Sequence, residues 1–346
     1  MPETDKSPLI VEDKVAAFLD VQGLGSGPIT ATRIGDGGGS NFTFLLERGA
    51  DRFVLRRPPR PPLPPSAHDM VREAALQNAI RAAGFTRLAE IVAVCEDDSV
   101  LGVPFYVMRY LDGHVITAQL PSGLEDEAAR RKLGNDLVDA LVEIHAADVT
   151  TPALAEFARP GSYAERQVRR FTQLWELNKT RELTVVDEVS SSLARAIPEP
   201  LAPTVVHGDY RLGNMMVARD EPTCIEAVLD WEMGAIGDPR ADVGYLLATY
   251  SEPAGARNPL GTSPVTDQPG FPTRAELAER YAQQSGRDVE PLGWFEALAL
   301  WKAAVFCEAI YGRFIRGELG SEDTLAARFE QGVPLLAETA LASLRG

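Results

Sequence analysis

Two short polar segments in the second half of the chain combine residue types that can bind a metal ion and move a proton. Residues 207–214 read HGDYRLGN, and residues 230–232 read DWE at the end of a predicted strand. The carboxamide of Asn214 and the carboxylate of Asp230 are oxygen ligands of the kind that Mg²⁺ prefers. The carboxylate of Asp209 then remains free to act on a nucleophile, which favours metal-assisted group transfer.

This division of roles fits phosphoryl transfer, because its transition state is loose and the protein contributes positioning and charge neutralisation. We expect Asp209 to orient a substrate hydroxyl and accept its proton late, while Asn214 and Asp230 hold Mg²⁺ on the triphosphate of ATP. His207 is expected to brace the loop by hydrogen bonding, and Arg211 to contact the transferred phosphate. Each residue alone has an ordinary structural explanation, but the spacing of the whole set favours catalysis.

The N-terminal part of the chain reads as a small sheet that carries one main helix. Alternation of apolar and polar residues with a period of two indicates strands. A helix is expected after Ser66, which can cap it, and should end near Gly84. The other predicted elements are a first helix at 12–20, a glycine-rich loop at 35–41, and strands at 42–46, 52–56, 90–95 and 104–110.

A proline-rich segment at 58–65, PPRPPLPP, separates the second of these strands from the helix. Proline lacks a backbone donor and has a fixed φ, so the segment can be neither helix nor central strand. Its place between strand and helix favours a stiff connector. The alternative is a polyproline ligand for an SH3-like partner.

Beyond residue 113, helical periodicity dominates. Leu133, Leu137 and Leu141 mark a long amphipathic helix, and short strands between 204 and 231 form a small β element around the polar segments. We interpret Lys302, Arg313 and Arg316 as part of a solvated helix face, and contact with an anionic substrate is the alternative. Further helices are expected at 162–178, 274–285, 294–316 and 323–344, with a surface loop at 251–272.

Length and charge limit the classes of function. A chain of 346 residues suits two domains or one two-lobed domain. The net charge of −16 gives no general attraction to nucleic acid or to an anionic membrane, so neither is expected as a partner. The three widely spaced cysteines predict buried, reduced thiols. Together with the lack of a signal-like N-terminus or membrane span, this predicts a cytoplasmic protein.

The order HGD, then Asn214, then DWE resembles the aminoglycoside phosphotransferase family, whose members are relatives of the protein kinases. The likeness covers most of the chain. It implies an α+β, two-lobed, protein-kinase-like fold, with a small β-rich N-terminal lobe that carries one main helix, a larger and mainly helical C-terminal lobe, and ATP in the cleft. We place the N-terminal lobe at 1–108, a hinge at 109–112 and the C-terminal lobe at 113–346.

The resemblance also implies a cation on the third strand that contacts the phosphates. The family keeps a lysine there, whereas Arg56 and Arg57 occupy this place here. Side chains alternate along a strand, so only one of them can face ATP, and we favour Arg56. Glu73 matches the acid that pairs with this cation on the following helix. Arginine presents a planar fork rather than a point charge, which changes the geometry of the contact.

Two further nucleotide contacts are implied by the resemblance. The loop at 35–41 would cover the phosphates with backbone N–H groups, although Ser40 departs from the pattern of a glycine-rich loop. A hinge would meet the adenine edge with its backbone. The residues implied in these two segments are Gly37, Gly38, Ser40 and Asn41 in the loop, and Met108, Arg109 and Leu111 in the hinge.

The expected activity is therefore ATP- and Mg²⁺-dependent phosphorylation of a hydroxyl on a small molecule. Residues 53–59 and 65–68 are similar to the phosphotransferase-like domain fused to some acyl-CoA dehydrogenases, which points to a hydroxyacyl-CoA or hydroxy acid. A nucleotide-binding regulator without catalysis is the alternative from another class. A protein kinase is disfavoured, since no APE segment follows Asp230. The same resemblance implies that Asp242 anchors the catalytic loop.

Overall fold

A computed structural model of the chain describes residues 8–35, 41–60, 68–252, 260–318 and 323–345. Two compact units are formed, one by Met1–Ala82 with Leu88–Asp112, the other by Ala83–Arg87 with Gly113–Gly346. The lobe boundaries given above remain a proposal. Residues 61–65 of the proline-rich segment lie outside the described residues.

The first unit is built on an antiparallel sheet of five strands in the order β1-β2-β3-β5-β4. Its main helix and a first helix pack on this sheet. In chain order the elements are α1 (Glu12–Val21), β1 (Thr30–Ile34), β2 (Phe42–Arg48), β3 (Asp51–Arg57), α2 (Met70–Ala82), β4 (Ile91–Cys95), α3 (Asp98–Leu101) and β5 (Phe105–Arg109).

Strand β5 shows how the pleat divides the core of this unit. Phe105 and Val107 belong to the cluster that contains Val15 and Leu19 of α1. Tyr106 and Met108 lie in a second cluster with Met70 and Ala74 of α2. The two clusters take alternate residues of β5 because successive side chains point to opposite faces of a sheet.

The second unit is mainly helical, with two small sheets. In chain order its elements are β6 (Gly113–Val115), α4 (Glu127–His145), α5 (Pro152–Ala155), α6 (Tyr163–Asn178), α7 (Thr184–Arg195), β7 (Thr204–Val206), β8 (Met215–Ala218), β9 (Ile225–Val228), β10 (Ala235–Gly237), α8 (Arg240–Thr249), α9 (Arg274–Ser285), α10 (Leu292–Ile315) and α11 (Asp323–Ser343).

The small sheets fix the ends of the two polar segments. Antiparallel pairing joins β7 to β10 and orders the other sheet as β6-β8-β9. Strand β7 ends at Val206, immediately before the HGD segment, and β8 begins at Met215, immediately after Asn214. The HGDYRLGN segment is therefore a loop held between strands of two sheets.

Arg87 explains why the segment Ala83–Arg87 belongs to the second unit. Its guanidinium donates to Asp136 of α4 at 2.7 Å and to Glu143 of the same helix at 2.7 Å. Its carbonyl accepts the backbone N–H of Val228 at 3.0 Å. The side chain is 19% exposed, so this network is partly shielded from water.

Several predictions for the second unit are wrong in detail. Lys302 does not lie on a solvated face: it is buried in α10, with its ammonium 5.0 Å from the centroid of the Phe171 ring. The segment 251–272 is not a plain surface loop, because Thr266 and Phe271 are buried. Cys224 is exposed rather than buried. Across both units, the elements that were not predicted are β1, α3, β6, α5, α7, β10 and α8.

Candidate active site

The HGD loop is anchored by Asp242 of α8. This fully buried carboxylate accepts the backbone N–H of His207 at 2.7 Å and that of Gly208 at 2.7 Å. It also accepts Nε2–H of His145 at 3.2 Å, and Nδ1 of His145 is 2.7 Å from the hydroxyl of Tyr281. Burial by itself would raise the pKa of Asp242, but these hydrogen bonds and the nearby imidazoles lower it below its ordinary value.

The imidazole of His207 is fully buried, and both of its ring nitrogens form hydrogen bonds. Its Nδ1 accepts the backbone N–H of Asp209 at 3.2 Å, which places the ring proton on Nε2. Nε2–H then donates to the carbonyl of Leu229 at 2.9 Å. This carbonyl directly precedes Asp230, so the ring joins the two polar segments and acts by positioning them.

Gly208 occupies a conformation that other residues rarely adopt. Its φ is +85°, and a Cβ atom at this position would come within 2.9 Å of both the Cβ and the carbonyl oxygen of Met233. Left-handed backbone and lack of space both require glycine here. In this conformation the backbone N–H of Gly208 donates to Oδ1 of Asp242 at 2.7 Å.

Asp209 is held by its neighbours in the loop but stays accessible. Its Oδ2 accepts Nδ2–H of Asn214 at 2.8 Å, and its Oδ1 accepts Nε–H of Arg211 at 3.3 Å. Nδ2 of Asn214 also donates to the main-chain carbonyl of Asp209 at 2.8 Å. The side chain of Asp209 is 24% exposed. A carboxylate with fixed orientation and access to solvent can accept a proton from a bound hydroxyl.

Asn214 and Asp230 are brought together by the pairing of β8 with β9. The backbone N–H of Leu229 donates to the carbonyl of Asn214 at 2.8 Å, directly beside Asp230. Since Nδ2 of Asn214 faces Asp209, its amide oxygen points away from that carboxylate. Asp230 has a φ of +65°, a strained conformation for a residue with a side chain. The backbone bond thus places Asn214 next to the residue that precedes Asp230.

Arg56 and Arg57 have different partners in the first unit. Nη2 of Arg56 lies 3.8 Å from Oε1 of Glu73, and both side chains are nearly buried. Arg57 points to the other face, where it donates to the carbonyls of Pro58 and Leu9. The strand therefore directs one arginine to the acid on α2 and uses the other to hold the chain before α1.

The predicted hinge residues lie at the end of β5. Met108 packs against the cluster under α2. The backbone N–H of Arg109 donates to the carbonyl of Glu90 at 2.8 Å, and its side chain forms an exposed ion pair with the same residue. Leu111 is half-buried. The N–H of Arg109 is thus used within the unit.

The glycine-rich loop is only partly described. Gly37, Gly38 and Ser40 lie outside the described residues. Oδ1 of Asn41 is 2.9 Å from Nδ1 of His68, which links the start of β2 to the residues before α2.

Two tyrosines that the sequence did not predict contact candidate site residues: Tyr245 lies beside Asp209, and Tyr106 contacts Glu73. Burial raises the pKa of Tyr245, and the adjacent Asp209 carboxylate raises it further, which places this phenol beside the candidate base. The hydroxyl of Tyr106 donates to Oε1 of Glu73 at 2.8 Å. The position of Tyr245, three residues after Asp242 on α8, was the available signal for the first. For Tyr106, the available signal was its place on the face of β5 opposite to Phe105.

Comparisons with known proteins define the class. Residues 30–296 match the phosphotransferase enzyme family, abbreviated APH. The chain belongs to this family, as its motif order predicted. Rat acyl-CoA dehydrogenase family member 11 is 31% identical over 307 residues, which cover 88% of this chain and 39% of the relative. The chain thus spans well under half of that longer protein.

Solved structures of similar fold extend this result. A candidate aminoglycoside phosphotransferase of Ralstonia eutropha JMP134 superposes with a TM-score of 0.77 and 27% identity, over 95% of this chain and 98% of that one. A spectinomycin phosphotransferase with ADP and spectinomycin gives a TM-score of 0.61 and 11% identity, over 96% and 99%. The predicted kinase-like fold, with a β-rich unit and a mainly helical unit, is confirmed.

No helix in the described part of the chain is long and apolar enough to span a membrane. Within the same residues, no group of three or more His, Cys, Asp or Glu side chains is arranged to hold a metal ion. The metal ligands predicted here are one carboxylate and one carboxamide, a set in which substrate phosphates and water complete the coordination of Mg²⁺.

Proposed function

We propose that this protein is an ATP- and Mg²⁺-dependent phosphotransferase that phosphorylates a hydroxyl group of a small molecule. The observation that carries the proposal is the Asp209–Asn214 hydrogen bond of 2.8 Å on a loop whose backbone is fixed by Asp242. Family membership supports the reaction class.

Asp209 is the proposed base. The acceptor hydroxyl loses its proton to the Asp209 carboxylate as its oxygen bonds to the γ-phosphorus, and the bond from that phosphorus to the bridging oxygen of ADP breaks. Arg211, whose Nε is 3.3 Å from Oδ1 of Asp209, is close enough to the base to contact the transferred group. Its fixed charge would offset the charge on the phosphoryl oxygens. His207 positions the loop without touching the reactants.

Asn214 and Asp230 are the proposed metal ligands. The donor set fits a hard cation, since it consists of one amide oxygen and one carboxylate. Bound there, Mg²⁺ would neutralise charge on the phosphates. The strained backbone of Asp230 fits a position fixed for ligation rather than for stability.

Arg56 is the proposed phosphate contact, with Glu73 as its partner. Arg57 is already used to bind main-chain carbonyls, which supports the choice of Arg56. At the hinge, the N–H of Arg109 is occupied by Glu90, so Leu111 is the better donor to the adenine edge, with Met108 contacting the base. Gly37, Gly38, Ser40 and Asn41 keep their proposed role as phosphate-covering residues.

The acceptor has two candidate classes. An aminoglycoside-like polyol is supported by the fold of proteins such as the spectinomycin phosphotransferase. A hydroxyacyl-CoA or hydroxy acid is supported by the 31% identity to an acyl-CoA dehydrogenase family member. A panel of both classes, assayed for ADP release with purified protein, would separate them. Nucleotide hydrolysis that no acceptor stimulates would favour the regulator alternative.

We also propose a cytoplasmic location, which the unpaired thiols of Cys95, Cys224 and Cys307 support. Nucleic acid and membrane are not proposed as partners, since the net charge is −16.

Thermal unfolding tests the metal–nucleotide part of the proposal. The native chain and Asp230→Asn are heated with ATP, with Mg²⁺ and with both. Ligand at about 100 times its Kd stabilises the folded state by about 2.7 kcal/mol, a clear rise in Tm. A rise that needs both ligands and is lost in the variant supports the site. No rise in the native chain overturns it. Asp209→Asn should retain the rise yet lose turnover by about 10²- to 10⁴-fold.

A further inference from the structure

Tyr281 of α9 is connected to the HGD loop through one imidazole. Its hydroxyl is 2.7 Å from Nδ1 of His145, whose Nε2–H donates to Oδ2 of Asp242 at 3.2 Å. The same Oδ2 accepts the backbone N–H of His207 at 2.7 Å. Tyr281, His145 and Asp242 are 1%, 2% and 0% exposed, so this chain of hydrogen bonds is shielded from water.

The proton positions in this chain follow from the chemistry of its members. An ionised carboxylate only accepts, so Nε2 of His145 carries the proton that faces Asp242. Burial raises the pKa of the Tyr281 phenol, so the hydroxyl keeps its proton at neutral pH. The hydroxyl of Ser285, one turn later on α9, lowers that pKa, which means that it faces the phenol oxygen as a donor. The phenol proton is therefore directed at Nδ1, and the His145 ring is neutral with its proton on Nε2.

This tautomer of His145 is the one that the HGD loop needs. In a neutral imidazole, the hydrogen bond made by one nitrogen decides which nitrogen carries the proton. With the proton on Nδ1, Nε2 would present a lone pair to the Asp242 carboxylate, and the two groups would repel each other. Since Oδ2 of Asp242 also accepts the N–H of His207, a turn of that carboxylate would move the loop backbone.

We propose that Tyr281 is a positioning residue for phosphoryl transfer, since its hydroxyl holds His145 as the Nε2–H tautomer. In that form the imidazole keeps Asp242 oriented toward the backbone that leads to Asp209. This inference rests on the proposed function and adds α9 to the elements that hold the base. The HGD motif does not reveal it, because Tyr281 lies 136 positions from His145 in the sequence.

Nuclear magnetic resonance of the ¹⁵N-labelled imidazole rings measures the tautomer directly. The chain has four histidines, and the signal that is absent from His145→Gln belongs to His145. We expect a protonated Nε2 and an unprotonated Nδ1 for this ring in the native chain at neutral pH. In Tyr281→Phe the Nδ1 signal should shift, because its donor is lost. A native ring that carries a proton on Nδ1 overturns the inference.

Tyr281→Phe also tests the effect on catalysis, because it removes only the hydroxyl. Loss of one hydrogen bond corresponds to about a tenfold change in an equilibrium constant. Below the Tm of each protein, we expect kcat to fall about tenfold with KM for ATP unchanged, since the nucleotide contacts are elsewhere. The assay is ADP release with the acceptor of the panel that gives the highest rate. If Tyr281 acts through Asp242, adding Tyr281→Phe to Asp242→Asn should cause no further loss of kcat.

Tyr250→Phe is the matched control. It also removes a buried phenol hydroxyl, which donates to the carbonyl of Pro272 at 2.9 Å in the same unit. It should lower Tm and leave kcat unchanged. An unchanged kcat in Tyr281→Phe, with turnover by the native chain, overturns this inference alone. Lack of turnover by the native chain with every acceptor overturns the proposed function and this inference with it.

Discussion

The carboxylate of Asp242 accepts the backbone N–H of Gly208 at 2.7 Å, immediately before the candidate base. The neighbouring N–H of His207 donates to the other oxygen at the same distance. Because both bonds involve the main chain, the direction in which Asp209 leaves the turn is fixed by α8 and not by the substrate. Such preorganisation lowers the reorganisation needed during proton transfer.

Asp242→Asn should damage both stability and turnover. An asparagine can accept one of the two N–H groups, but its own NH₂ group then faces the other donor. We expect the free energy of unfolding to fall by about 2–4 kcal/mol, since a buried network is broken. Urea unfolding and kcat measure the two effects. Asp148→Asn, at an exposed carboxylate that accepts two hydrogen bonds from Thr150, is the control and should leave kcat unchanged.

The difference in unfolding free energy between the native chain and Asp242→Asn should depend on pH, because the pKa of Asp242 is lowered in the folded state. The ordinary pKa of the group is 3.8, and the folded-state value lies below it. A lowered folded-state pKa stabilises the protein fully above the unfolded pKa, and the contribution is lost as the pH falls through the folded value. The gap in unfolding free energy between native chain and variant should be constant above about pH 5 and shrink below 3.8. A gap independent of pH down to acid unfolding would contradict the assigned ionised state.

Comparing Gly208→Ala with Gly49→Ala distinguishes the cost of a steric clash from the cost of backbone strain. Both glycines have positive φ, +85° and +60°, but a Cβ atom at Gly49 would meet nothing within 4 Å. We expect Gly49→Ala to cost about 1 kcal/mol of unfolding free energy from strain alone. Gly208→Ala should cost more and should also lower kcat, because Met233 or the loop must shift. Equal losses of stability with unchanged kcat would show that the loop tolerates displacement.

The parts of the site that were predictable lie close together in sequence. Asp209 and Asn214 share one loop, so residue types and spacing sufficed to predict that their side chains lie together. The anchoring of that loop by Asp242 required the family resemblance, and its contact with His145 bridges 97 positions in sequence. Such contacts depend on how α4 and α8 pack, which periodicity does not encode. Tyr106 was missed because it reads as an ordinary apolar strand residue until its hydroxyl is placed against α2.

The missed elements have similar physical causes. Strand β1 lies at the sheet edge, and three of its five residues are exposed, so it lacks the alternation of a half-buried strand. Helix α8 is buried on most sides and shows no amphipathic stripe. The segment 251–272 has loop composition, but the hydroxyl of Thr266 accepts the backbone N–H of Ser251 at 2.9 Å. The polar composition predicted a surface position, but Thr266 and Ser251 are buried because their polar groups are hydrogen-bonded to each other.

Arg56→Ala should weaken nucleotide binding, whereas Arg57→Ala should lower stability and leave nucleotide binding unchanged. Arg57→Ala leaves the carbonyls of Leu9 and Pro58 without their donor, so the unfolding free energy should fall by about 1–3 kcal/mol with ATP affinity unchanged. Arg56→Ala should weaken binding of ATP with Mg²⁺ by about tenfold or more, since a charged phosphate contact is lost. Calorimetric titration and urea unfolding provide both measurements. Weaker ATP binding in Arg57→Ala alone would reverse the assignment.

Lys302→Met should stabilise the protein, because the buried ammonium lacks an acidic partner within ion-pair distance among the described residues. Burial lowers the pKa of Lys302 from 10.5 to about 8, even though the charges of Asp242 and Asp209 act to raise it. The unfolded chain therefore binds the proton more tightly, and native stability rises with pH between about 8 and 10.5. Lys302→Met should raise the unfolding free energy by up to about 3 kcal/mol at pH 7, and this gain should vanish as the pH approaches 10.5. Lys132→Met, at an exposed lysine, is the control and should show the same rise of stability with pH as the native chain. A stability gap for Lys302→Met that does not change with pH would mean that the ammonium is solvated in the folded state.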